Sequence, residues 1–147
     1  MTGKIAVGGI TRKDGLVLVR VIDARSGPGL AGRVLSALGL KGINIVCVTS
    51  SAIADGDLDQ TLGILQSLQD DLQARSITYQ NRCSAISIYG PHFSERPAIA
   101  GTIFATTSDA DVEIHLISTS FSTVSFLTSE DQAATAVARL RERFLVP

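Results

Sequence analysis

The sequence predicts an α+β chain made of two copies of one βαββαβ unit. Each copy is expected to form an antiparallel sheet with its helices on one face, the first copy inserted in the second. Three observations predict this. The first is an internal repeat. Pro28-Gly29-Leu30-Ala31-Gly32 runs on to Ile43-Asn44-Ile45-Val46-Cys47-Val48-Thr49-Ser50-Ser51, and Pro97-Ala98-Ile99-Ala100-Gly101 runs on to Val112-Glu113-Ile114-His115-Leu116-Ile117-Ser118-Thr119-Ser120. The two align without a gap, Pro28 on Pro97, Leu35 on Phe104, Ile43 on Val112 and Ser51 on Ser120. A repeat this long marks two copies of one supersecondary unit. The second observation is that short β-branched runs alternate with stretches of helical periodicity. The third is that the copies are unequal, so one must borrow a strand.

The elements follow in order. Ile5, Val7 and Ile10 make Lys4 to Thr11 a strand, and Lys13-Asp14-Gly15 reads as a turn. Leu16 to Ile22 is a nearly continuous β-branched run, as in a buried strand. Ser26-Gly27-Pro28-Gly29 is a loop opening a helix with Leu30, Val34, Leu35 and Leu38 on one face. Gly39 and Gly42 bracket that helix's end. Ile43 to Thr49 is the next strand. Asp57 suits the N-cap of a helix that sets Leu58, Leu62, Leu65, Leu68 and Leu72 in register. Ser76 to Gln80 is a short strand. The second copy then runs through strand Ser84–Tyr89, loop Gly90–Arg96, helix Pro97–Thr106 and strands Val112–Ser118 and Thr123–Thr128. It ends in a helix from about Ser129 that turns Val137, Leu140 and Phe144 inward.

The first copy closes with its own last strand, Ser76–Gln80, whereas the second stops after a helix. The unpaired leading strand is the natural replacement. The expected units are therefore 14–80, and 1–13 plus 81–147. The first copy is also about three residues shorter before its second helix, which predicts a stunted third strand and a weak sheet edge there.

Bulk properties narrow the function. Units of half of 147 residues are marginal alone, so a shared core or a dimer is expected. A net charge of −1 gives no electrostatic case for nucleic acid or an anionic membrane as partner. Trp is absent, which argues against a base-stacking platform. Cys47 and Cys83 sit in apolar runs and read as buried reduced thiols. No apolar stretch nears the ~18 residues of a membrane span, and Met1-Thr2-Gly3-Lys4 lacks a secretory pattern. A cytoplasmic protein is expected.

The chemistry concentrates at one loop. A helix N-terminus offers unpaired N–H groups and partial positive charge to a carboxylate. Ser26-Gly27-Pro28-Gly29-Leu30 opens such a helix, and Pro28 suits the first helical position, where its missing donor is not needed. Asn44, next to Ile45, can accept from an α-ammonium through its side-chain carbonyl. An amino acid held between the two is a concrete picture; a plain strand-to-helix turn accounts for the same residues. Ser118-Thr119-Ser120 is a hydroxyl-rich strand end whose hydroxyls also suit local backbone pairing. His115 reads as a face-exposed or interface histidine in an alternating strand. His92, in Pro91-His92-Phe93, is the one weak catalytic candidate. No CxxC, HExxH or P-loop Lys supports a metal or phosphoryl-transfer site, and no cofactor is expected.

The chain resembles the ACT domain, the ferredoxin-like small-molecule regulatory module, and more specifically the tandem ACT region of aspartokinases. Gly9-Ile10-Thr11, Leu16–Ile22 and Gly27-Pro28-Gly29 resemble the family's first unit, and Ile43-Asn44-Ile45 matches its INI stretch. Cys83 to Gly90 resembles the strand entering its second unit, and Ile117-Ser118-Thr119-Ser120 matches its ISTS signature. The chain shows no kinase domain. The resemblance implies a freestanding regulatory protein that binds an amino-acid effector through Ser26, Gly27, Pro28, Gly29, Leu30, Asn44, Ile45, Ser118, Thr119 and Ser120. It also implies a homodimer, or docking on a kinase-like catalytic subunit. The chain departs from the family pattern where Phe121 replaces a Glu, Val46 an acidic residue, Ser26 an Asp, and Gly90-Pro91-His92-Phe93 a G-x-G-M loop. Two other readings stay open: a recruited small enzyme with an apolar pocket near His92, and an interaction module that has lost its ligand.

Overall fold

The computed structural model describes residues 4–22, 30–43, 45–48, 51–54, 58–72, 76–91 and 98–147 of the chain. It divides into two compact units, an outer one of Met1–Asp14 with Cys83–Pro147 and an inserted one of Gly15–Arg82. Two long strands cross the boundary, β2 (Gly9–Ile22) and β5 (Ser76–Tyr89).

In the inserted unit, β2 pairs antiparallel with β4 (Ser51–Ala54), which pairs antiparallel with β3 (Ile45–Val48). The helices α1 (Leu30–Leu40) and α2 (Leu58–Leu72) complete it. Val17 and Val19 alternate onto one face of β2 and meet Leu38 of α1 and Leu65 of α2, all buried. Of the apolar face expected on α1, Leu38 is buried while Val34 and Leu35 are half-buried. The chain leaves α1 through a Schellman turn: Ile43 N–H donates to Leu38 O at 3.1 Å and Gly42 N–H to Gly39 O at 3.0 Å, with Gly42 at φ +74°.

In the outer unit, β7 (Thr123–Ser129) lies between β5 and β6 (Leu116–Thr119), antiparallel to both. The helices α3 (Ala98–Asp109) and α4 (Glu130–Arg143) pack together over Ile86, Ile88, Val124 and Phe126. Phe104 meets Phe126 edge-on, ring centroids 6.2 Å apart. Ser84 and Thr128 are buried hydroxyls, and both are satisfied: Ser84 Oγ donates to Asp14 Oδ1 at 2.6 Å and Thr128 Oγ1 to Glu113 O at 2.6 Å.

Several sequence expectations need correction. The turn at Lys13-Asp14-Gly15 is absent: β2 runs straight through, Gly15 taking φ +71° inside the strand. Ser76–Gln80 and Ser84–Tyr89 are likewise one strand, with Arg82 at φ +56° at the point where a break was expected. A single positive-φ residue bends a strand and strengthens its twist without ending its pairing. The third strand of the first copy is short, four residues against seven in β7, but it is not the sheet edge: β4 lies inside, and β3 is outermost. Phe144 is buried as expected, yet it stands past the helix, in β8 (Phe144–Leu145), which pairs in parallel with β1 (Ile5–Ala6). The leading segment is thus split. Val7 N–H donates to Leu145 O at 3.0 Å and Gly8 N–H to Tyr89 O at 2.7 Å, so the chain changes partner between those residues.

Candidate functional site

Of the residues singled out for ligand binding, Ser26, Gly27, Pro28, Gly29 and Asn44 lie outside the described residues, as do His92 and the side chains of Leu30 and Ile45. Leu30 is the first residue of α1 and Ile45 the first of β3. The backbone thus places them at a helix start and a strand start within one unit.

Ser118 and Thr119 end β6, and Ser120 closes the hairpin to β7, its N–H donating to Thr123 O at 2.8 Å. Ser118 stands opposite Ser125, and Ser125 opposite Ser87. The Ser87 and Ser125 hydroxyls lie 2.7 Å apart. Three serines therefore form one row across β5, β7 and β6. Val124 and Phe126 face α3 and α4, so strand alternation puts Ser125 on the sheet face turned away from the helices. Ser118 is half-buried, Thr119 and Ser120 are exposed, and Phe121 at the hairpin tip is 85% exposed. Ser87 and Ser125 were missed at the sequence level, because only the register shows that they extend Ser118 into a row.

Such a row offers neutral donors and acceptors, which can orient a polar ligand without binding it through charge. Asp14 supplies a charge elsewhere in the same unit. Arg12 Nε donates to its Oδ1 at 2.8 Å, and Ser84 Oγ donates to the same oxygen. The Arg12 hydrogen bond first, and then that of Ser84, hold the Asp14 carboxyl below the usual carboxylate range.

His115 precedes β6 rather than lying within it. It is half-buried, its N–H donates to Leu127 O at 2.8 Å, and its Nε2 lies 3.1 Å from Ser129 Oγ. Ser129 is the N-cap residue of α4, but its hydroxyl makes no capping bond. Gln132, in the first turn of α4, ties down the connection from α3. Its Nε2 donates to Asp111 O at 3.1 Å and its Oε1 accepts from Glu113 N–H at 3.0 Å. Cys83 is buried and in no disulfide, while the Cys47 side chain lies outside the described residues. Among the described residues no group of His, Cys, Asp and Glu is placed to hold a metal ion, and no helix is long and apolar enough to cross a membrane.

Comparison with known proteins gives a consistent picture. An ACT domain profile matches residues 86–144. Aspartokinase 2 of Bacillus subtilis is 25% identical over 98% of this chain, which spans only 38% of that protein's length. Among solved structures, a chain of aspartokinase alpha and beta subunits superposes with a TM-score of 0.87 at 28% identity, covering 93% of this chain and 97% of its own. The ligand-free regulatory subunit of aspartate kinase from Thermus thermophilus shares the fold, with a TM-score of 0.84 at 19% identity over 95% of this chain and 98% of that one.

Proposed function

We propose, because residues 86–144 match the ACT domain profile and the chain is similar to aspartokinases, that this protein senses a free amino acid and passes the signal on through protein contacts. The carrying observation is the likeness to an aspartokinase subunit chain over 93% of this chain at 28% identity. The effector is assigned to the loop Ser26–Leu30 with Asn44 and Ile45, and to Ser118, Thr119 and Ser120. Residues 14–80 act as one ACT unit, and 1–13 with 81–147 as the other.

The protein assembles as a homodimer or docks on a kinase-like catalytic partner. Supporting this, β6 is the last strand of its sheet, and Leu116 to Ser122 carries no charge or proline to blunt that edge. Thermal unfolding against all twenty amino acids at millimolar concentration tests the sensing. A ligand at ~100 times its dissociation constant stabilises the native state by about 2.7 kcal/mol, several degrees in a chain of this size. A shift confined to one or two amino acids and lost in Asn44→Ala is the expected result. A flat panel overturns the reading.

A further inference from the structure

Away from the serine row, the C-terminal ends of α3 and α4 border an open cavity of about 240 Å³ lined by Thr106, Asp109, Ala110, Arg139, Glu142 and Arg143. The volume is below the ~300–1,000 Å³ typical of drug-sized sites, so it suits a small metabolite. Thr106 is buried, its hydroxyl already donating to Thr102 O at 2.7 Å, and Ala110 is half-buried, so the least polar lining lies deepest. The rim is charged and its charges balance, two arginines against Asp109 and Glu142. Arg139 pairs with Glu142 at 3.5 Å. Asp109 and Arg143 make no ion pair or side-chain hydrogen bond among the described residues, although both line the cavity. An acid closing a helix, as Asp109 does in α3, faces the negative end of the dipole and is unfavourable there without a cation.

We infer that this cavity is a second small-molecule site, binding a zwitterion whose ammonium meets Asp109 and whose carboxylate meets Arg143. A free α-amino acid has that chemistry. The site is distinct from the loop around Asn44, which belongs to the inserted unit, and its existence does not depend on that loop binding anything.

The test is an NMR titration of the full chain with each amino acid, beside acetate and methylammonium as the two half-ligands. Saturable perturbation of the amides of residues 106–110 and 139–143 by at least one amino acid, and by neither half-ligand alone, is expected. Asp109→Asn and Arg143→Gln, both exposed substitutions, each weaken it about tenfold or more, as loss of a charge-assisted hydrogen bond does. Acetate acting as strongly as the best amino acid, no saturable change at these amides, or indifference to both substitutions overturns the inference. Perturbation at residues 26–30 and 44 reports separately on the sensing reading, so the two can fail independently.

Discussion

Asp111 takes in the second copy the left-handed backbone position that Gly42 takes in the first. Gly42 lies at φ +74° and Asp111 at φ +55°. The hydrogen bonds correspond: Val112 N–H donates to Thr107 O at 2.9 Å and Asp111 N–H to Ser108 O at 3.0 Å, as Ile43 and Gly42 do on α1. A residue with a Cβ is strained there and glycine is not. Asp111→Gly is therefore expected to stabilise the outer unit by about 0.5–1 kcal/mol, since the side chain is exposed and Gln132 holds only the backbone carbonyl. Gly42→Ala, with open space around it, is expected to cost about 1–2 kcal/mol from backbone strain alone. Denaturant unfolding of the two variants should move in opposite directions.

This pair also shows what a sequence displays and what it withholds. The end of α1 was legible because its glycine announces itself. The end of α3 was set three residues too early, at Thr106, because Asp111 carries no such signal. The fold class was readable from the repeat and its periodicities. The serine row was not, because register depends on which strands meet, and Ser87 and Ser125 are 38 residues apart in sequence.

Asp14 makes the outer unit sensitive to acid. Its carboxyl is held below its ordinary value by Arg12 and Ser84, so the native state binds its proton less readily than the unfolded chain. The stabilising contribution is present above the unfolded value of about 3.9 and is lost as pH falls through the folded one. Ser84→Ala removes one of the two donors, and the Asp14 titration should move upward, toward the unfolded value. Carbon-detected NMR of the Asp14 carboxyl reads this directly. An unmoved titration would show that Arg12 alone sets it.

The Tyr89 ring lies directly against Gly9. A Cβ built on Gly9 would stand 2.5 Å from Tyr89 Cζ and 2.8 Å from Cε1, well inside contact distance. Tyr89 is 43% exposed, so its ring has room to swing out, and Gly9→Ala should cost about 1 kcal/mol, the low end of overpacking. Tyr89→Ala in the same chain should remove most of that penalty. A double-mutant cycle in denaturant measures the coupling. Equal costs of Gly9→Ala with and without the ring would mean that the backbone at Gly9, rather than Tyr89, forbids the side chain.

The edge strand β6 makes dimerisation testable without disturbing the fold. Ser120 N–H donates inward to Thr123 O, and alternation along an antiparallel ladder then turns the N–H of Thr119 away from β7. Thr119→Pro removes that outward donor while leaving the bonds to β7 in place, and proline is tolerated at such edge positions. If two copies pair through β6, symmetry deletes the bond twice, and at about 1 kcal/mol each the dimer should weaken by at least about tenfold. The melting temperature of the monomer should hardly change. Sedimentation velocity over a concentration series separates the outcomes. An unchanged dimer would place the contact on another surface. A lower melting temperature with an unchanged association constant would show that the proline had disturbed the β6–β7 hairpin instead.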